Sequence, residues 1–295
     1  MTSPASPTGP VLELVDGRAE ELGGVPIRRL LPRRPRRTVG AWCFLDQMGP
    51  SDALLQVGPH PHIGLQTVTW LLEGEVLHRD SLGVEQPIRP GQLNLMTAGG
   101  GVAHAEEGRR GPLEGAQLWV ALPDATRHGP AAFEHHGDLP VAEVGNLAAT
   151  VLVGSLVGTD ATSPARHDTP LLGAELRATG AGAARVALEP AFEHALAVLR
   201  GAVEIEDAET ARAGQLVHLG TGRDGIGLSV PDDAVLLLLG GMPFDEHIVM
   251  WWNFVARTFD EIDVARADWA EAQHGGFDRF GPVASALAAI PAPPR

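Results

Sequence analysis

The chain has 295 residues, longer than the roughly 100–200 of a usual single domain, so two domains of similar length are the default. Its formal charge of −15 argues against direct binding to nucleic-acid phosphates, and no apolar stretch approaches the roughly 20 residues that cross a bilayer. With 36 Gly, 24 Pro, no Tyr and a single cysteine, the composition favours many short strands closed by tight turns and excludes an internal disulfide; Cys43, inside an apolar run, is expected to be buried.

In chain order, residues 1–20 are expected to be disordered. Residues 1–10 are rich in Ser, Pro and Thr and lack the charged head and apolar core of a secretory signal, which points to the cytoplasm. Arg28, Arg29, Arg33, Arg34, Arg36 and Arg37 form a local basic cluster. Broken by Pro32 and Pro35 and without aromatic partners, it reads as a solvated loop pairing with the acidic remainder. Residues 38–45 read as a strand that ends in a turn at Asp46-Gln47-Met48-Gly49-Pro50. Residues 66–72, the turn Glu73-Gly74-Glu75 and residues 76–79 read as a hairpin. Pro90-Gly91 opens another strand, Gly99-Gly100-Gly101 follows, and after residues 102–107 an alternating stretch at 117–122 stops at Pro123.

The layout then recurs. Ala197-Val198-Leu199-Arg200-Gly201 parallels Trp70-Leu71-Leu72-Glu73-Gly74, and Ala213-Gly214-Gln215-Leu216 parallels Pro90-Gly91-Gln92-Leu93. Such a repeat points to two copies of one all-β unit, joined near residues 137–148. The expected organisation is therefore a first barrel over 21–140, a second over 141–245 and a tail over 246–295. In the tail, Thr258-Phe259-Asp260-Glu261 fits a helix capping box, Ile262, Ala265, Ala267 and Trp269 form an apolar stripe, and Gly275-Gly276 stops the helix. The aromatic run at 248–254 reads as packing between tail and barrel.

The chemistry lies in two X-any-X pairs. Residues two apart on a strand share a face, so His60-Pro61-His62 and His104-Ala105-Glu106 can bring four ligands together inside a small jelly roll. Three neutral imidazoles and a carboxylate suit one divalent ion, Fe²⁺, Mn²⁺, Ni²⁺, Cu²⁺ or Zn²⁺, and leave positions open for substrate or O₂. A closed structural zinc site would be richer in cysteine. Aligning the repeats places Ala187 and Glu189 opposite His60 and His62, and Gly227 and Ser229 opposite His104 and Glu106, so the second barrel lacks ligands. His135-His136 reads as a surface loop, and His78, His128, His167, His194, His218 and His247 as ordinary polar or core histidines.

Residues 44–50, 59–75, 96–106 and 118–123 together resemble the signature segments of the pirin family, a branch of the cupin superfamily. The resemblance covers nearly the whole chain. It implies two cupin-type β-barrels in tandem, with Fe²⁺ held in the first by His60, His62, His104 and Glu106. It also implies a quercetin 2,3-dioxygenase-like oxidoreductase acting with O₂ on a flavonol-like or other enolisable aromatic substrate, with Glu106 as the base. The alternative it permits is an iron-dependent regulator of a protein partner, a transcriptional co-regulator or a modulator of a metabolic enzyme. Two positions depart from the pattern: Gln66 stands where most members carry Glu, and Ile63 where Arg is frequent.

Overall fold

The computed structural model describes residues 9–207, 209–276 and 279–295. The described residues form short antiparallel strands and one helix, and the chain divides into two compact units of the double-sheet kind.

One unit comprises residues 20–27, 48–137 and 246–295. Its smaller sheet runs in the order Gln56–His62, Val102–Gly108, Val76–Asp80, Glu85–Ile88. The larger sheet orders Ala132–His136, Leu93–Thr97, Leu65–Glu73 and Leu113–Ala121, then Trp42–Ser51, Val25–Leu31 and Arg18–Leu22. Leu71 and Leu113 from the larger sheet pack against Val57, Val76 and Ile88 from the smaller, which closes the sandwich. The expected hairpin at residues 66–79 is absent: Leu65–Glu73 and Val76–Asp80 belong to different sheets. Gly74, at φ +93°, makes the corner between them, and a Cβ there would stand 2.6 Å from the Pro112 carbonyl oxygen.

The helix Phe259–Ala272 starts where its cap predicts, with Thr258 Oγ1 accepting the Glu261 N–H. Ile262, Ala265, Trp269 and Ala272 form its buried face, packed with Ile63, Ala103, Phe254 and Phe280. Ala267, expected in that stripe, is exposed. The aromatic run supplies the hairpin Val249–Trp251/Phe254–Ala256, which a parallel bridge from Phe254 to Ile63 ties to the segment just after His62.

The other unit contains residues 28–47 and 138–245 together with the N-terminal strand. Residues 28–47 include strand residues of the larger sheet already described, and several of their polar contacts run to residues 172–240. Trp42 Nε1–H reaches the Leu172 and Gly240 carbonyls, Gly40 N–H donates to Glu193, and Gln47 donates to the Leu199 carbonyl. The expected turn at 46–50 is instead part of the strand Trp42–Ser51. Arg29 grips Asp46 with two hydrogen bonds of 2.9 and 2.8 Å, and Arg36 pairs with Glu13, so at these positions the basic cluster is neutralised. Disorder over 1–20 is likewise corrected in part. Residues 1–8 lie outside the described ones, but Pro10–Asp16 pairs antiparallel with Gln215–Gly220, where an open sheet edge offers it a row of hydrogen bonds. Among the described residues no helix is long and apolar enough to cross a membrane.

Candidate metal centre

The smaller sheet of the first barrel presents three polar pairs on one face. His104 lies opposite His60 on one neighbouring strand and Asp80 on the other, and Glu106 lies opposite His78. With His62 these make six polar side chains, each 7% exposed or less. A barrel interior that buries so many polar groups must hydrogen-bond them or give them a ligand.

His60, His62 and His104 each offer a ligand nitrogen within 4.8 Å of the others. His60 donates Nδ1–H to the Gly58 carbonyl at 2.9 Å, and His62 donates Nδ1–H to the Asn253 carbonyl at 3.0 Å. Each ring then keeps a bare lone pair on Nε2. Nε2 of His62 and Nε2 of His104 face one another at 3.0 Å. Two nitrogens bound at about 2.1 Å and at right angles to one ion would stand roughly 3 Å apart, so this spacing fits ligands that share a metal. Burial, opposed by the Gly58 hydrogen bond, lowers the pKa of His60 to about 4. Burial and repulsion from the neighbouring imidazoles hold His62 and His104 well below the ordinary histidine value. All three are therefore neutral at pH 7, the form that binds metal.

Glu106 shares the face but stands outside the histidine cluster, with Oε1 3.4 Å from Thr69 Oγ1. Burial raises its pKa, opposed by the charge of His78 and by the Thr69 hydrogen bond. Gln66 donates to Thr97 Oγ1 on the adjoining strand.

Sequence reasoning missed His78 and Asp80. His78 Nε2 is 3.1 Å from Asp80 Oδ2, and its Nδ1 is 3.3 Å from His104 Nδ1. The signal was available, because His78-Arg79-Asp80 is a third X-any-X pair. His135 and His136 are corrected: they lie half-buried in the strand Ala132–His136, bonded to Asn94 and Glu134.

The second barrel's register revises the repeat alignment by one residue. Ile226 pairs with Val186, Leu228 pairs with Ile205, and the Leu188 N–H reaches the Asp224 carbonyl. By these pairings Val186, Leu188, Ile226 and Leu228 occupy the places of His60, His62, His104 and Glu106, and all four belong to the apolar core. The residues aligned earlier, Ala187, Gly227 and Ser229, fall on the opposite face because side chains alternate along a strand. The second barrel lacks the ligands, as expected.

Comparison with known proteins agrees with this architecture. The Pirin sequence family matches residues 24–120, and the Pirin C-terminal cupin domain matches residues 173–275. A Pseudomonas aeruginosa protein provisionally named a quercetin 2,3-dioxygenase is 48% identical over 92% of this chain and 86% of its own. A pirin-like protein of Caulobacter vibrioides is 37% identical, covering 88% and 93%. The crystal structure of quercetin 2,3-dioxygenase from Acinetobacter baumannii superposes with a TM-score of 0.91 at 43% identity, covering 96% of this chain and 95% of that one. With the resemblance read from the sequence, the fold and both sequence matches in agreement, the chain belongs to the pirin family of two-barrel cupins.

Proposed function

We propose that this protein is an Fe²⁺-dependent dioxygenase acting on a flavonol-like substrate of the quercetin type, or on another enolisable aromatic. The observation that carries the proposal is the convergence of three neutral imidazoles beside a buried carboxyl group. The names of the Pseudomonas and Acinetobacter relatives support the substrate class. Bound Fe²⁺ would supply Lewis acidity and a place for enolised substrate and O₂ to meet; Mn²⁺, Ni²⁺, Cu²⁺ and Zn²⁺ suit the same donors.

The chain's own residues supply the rest. His60, His62 and His104 hold the ion, and Glu106 is the fourth ligand of the proposal. Glu106 also takes the proton from the substrate hydroxyl, and the burial that raises its pKa makes it a stronger base than an exposed carboxylate. Thr69 steadies the carboxylate through its hydroxyl. Trp119, edge-on to His62 at 5.3 Å between ring centroids, and Phe133, stacked on His78 at 4.6 Å, give the polar cluster apolar surroundings.

Metal content of protein purified without added metal, measured by mass spectrometry beside O₂ uptake with quercetin, tests the proposal. Stoichiometric iron, with iron and uptake both lost in His104→Ala, is the expected result. Iron-loaded protein that consumes no O₂ across a panel of flavonols and other enols would refute the activity.

A further inference from the structure

The converging histidines are not all held in the same way. His60 and His62 each give Nδ1–H to a main-chain carbonyl, whereas Nδ1 of His104 faces the side chain of His78. The sheet explains the difference. The strand Val102–Gly108 is sandwiched between Gln56–His62 and Val76–Asp80, and ladder hydrogen bonds occupy the backbone on both flanks. A ligand in mid-sheet is reached from the neighbouring strand by a side chain, and the register places Asp80 directly opposite His104 and His78 opposite Glu106.

The carboxylate decides where the protons sit. Asp80 Oδ1 accepts the N–H groups of Leu82 and Val84 at 2.9 and 3.0 Å, which pins the side chain, while Oδ2 faces His78 Nε2 at 3.1 Å. The Asp80 oxygens stand as acceptors, so His78 donates through Nε2. With its Nε2–H given to Asp80, His78 presents Nδ1 as the acceptor, and His104 donates to it through Nδ1–H. That leaves Nε2 of His104 bare and directed at Nε2 of His62. Phe133, stacked on the His78 ring at an interplanar angle of 25°, limits its rotation.

We infer that His78 and Asp80 are positioning residues of the metal centre: they fix the tautomer and ring orientation of His104 and strengthen it as a ligand, as the Gly58 and Asn253 carbonyls do for His60 and His62. The inference rests on the metal reading of the site. It adds a side-chain pair whose removal leaves all the proposed ligands in place.

The test uses full-length protein stripped of metal and titrated with Zn²⁺ against a competing chelator, with ¹⁵N NMR of the imidazole nitrogens in the Zn²⁺-loaded wild type. His104 is expected to carry its proton on Nδ1 and to bind through Nε2. His78→Phe retains an aromatic ring against Phe133 but cannot accept the His104 proton, and should weaken Zn²⁺ binding about 10- to 100-fold. His78→Gln can accept from His104 and donate to Asp80, and should stay within about threefold of wild type, a rescue that a purely packing role would not give. Equal Zn²⁺ affinity in wild type and His78→Phe, or a His104 proton on Nε2, overturns the inference. The NMR result decides the matter even if His78→Phe does not fold. A wild type that binds no Zn²⁺ removes the metal reading and the positioning pair with it, whereas a wild type that binds Zn²⁺ no better than His78→Phe removes the pair alone.

Discussion

Acidification from pH 7 to pH 5 should weaken metal binding at this site far less than at an exposed three-histidine site. An imidazole with the ordinary pKa of 6.5 is protonated about thirtyfold over its neutral form at pH 5, so three such ligands together lose roughly 4 decades of apparent affinity across that interval. His60, with its pKa lowered to about 4, is still about nine-tenths neutral at pH 5, and burial holds His62 and His104 well below the ordinary value too. Proton competition at His60 then amounts to less than about 0.1 decades, and that at His62 and His104 is reduced in the same direction. Glu106, raised by burial, is the remaining group of the proposed set that can take up a proton, so log Kd should change by no more than about one unit per pH unit. Competition between the apo-protein and a chelator of known pH dependence for Zn²⁺ at pH 7, 6 and 5, with circular dichroism to follow folding, measures that slope. A slope approaching three between pH 6 and pH 5 would show that the imidazoles titrate as exposed groups and would refute the argument from burial.

Three further outcomes follow from the geometry. Glu106→Gln keeps the volume beside Thr69 but removes the base, so O₂ uptake with quercetin should fall by roughly 10²–10⁴ while Zn²⁺ remains bound, as uptake and chelator competition on one sample would show. His194 and His218, buried in the second unit, have their pKa values lowered to about 4 from 6.5, so the unfolded chain binds protons that the folded one refuses. Their contribution is intact above pH 6.5 and is lost as pH falls toward 4, by about 3 kcal/mol for each; urea midpoints across that range should shift accordingly, and less steeply in His194→Leu. Gly64→Ala would put a Cβ 2.1 Å from the Val255 carbonyl oxygen at a φ of +68°, so a loss of about 2 kcal/mol or more is expected, and an unchanged thermal midpoint would contradict it.

The three-histidine cluster was legible because strand alternation is a rule of period two, and two X-any-X pairs expose it directly. The same rule misled wherever phase had to be carried across a gap. Alignment on Gly-Gln-Leu put Gly227 opposite His104, one residue from the interior position that Ile226 occupies, and so pointed to the wrong face of the strand. The Glu73-Gly74-Glu75 signal gives a reversal of direction, but a corner between two sheets and a hairpin within one sheet need the same glycine; long-range pairing decides between them. The polar contacts of residues 28–47 were not legible in local pattern either, since they join positions as far apart as Trp42 and Leu172, 130 apart.

The two barrels also bear on why the polar cluster exists. At places equivalent by register the second barrel carries Val186, Leu188, Ile226 and Leu228, with Ile205 in the place of His78. Each aliphatic side chain contributes roughly 1.5–3 kcal/mol on burial, so this fold closes its core well without polar groups. The first barrel instead buries His60, His62, His104 and Glu106, keeps the imidazoles neutral by burial, and spends backbone carbonyls and a further buried pair, His78 and Asp80, on orienting them. A structural role would be better served by the aliphatic set beside it. The polar set makes physical sense as a ligand shell, whose destabilisation in the absence of an ion is offset when three oriented lone pairs find one.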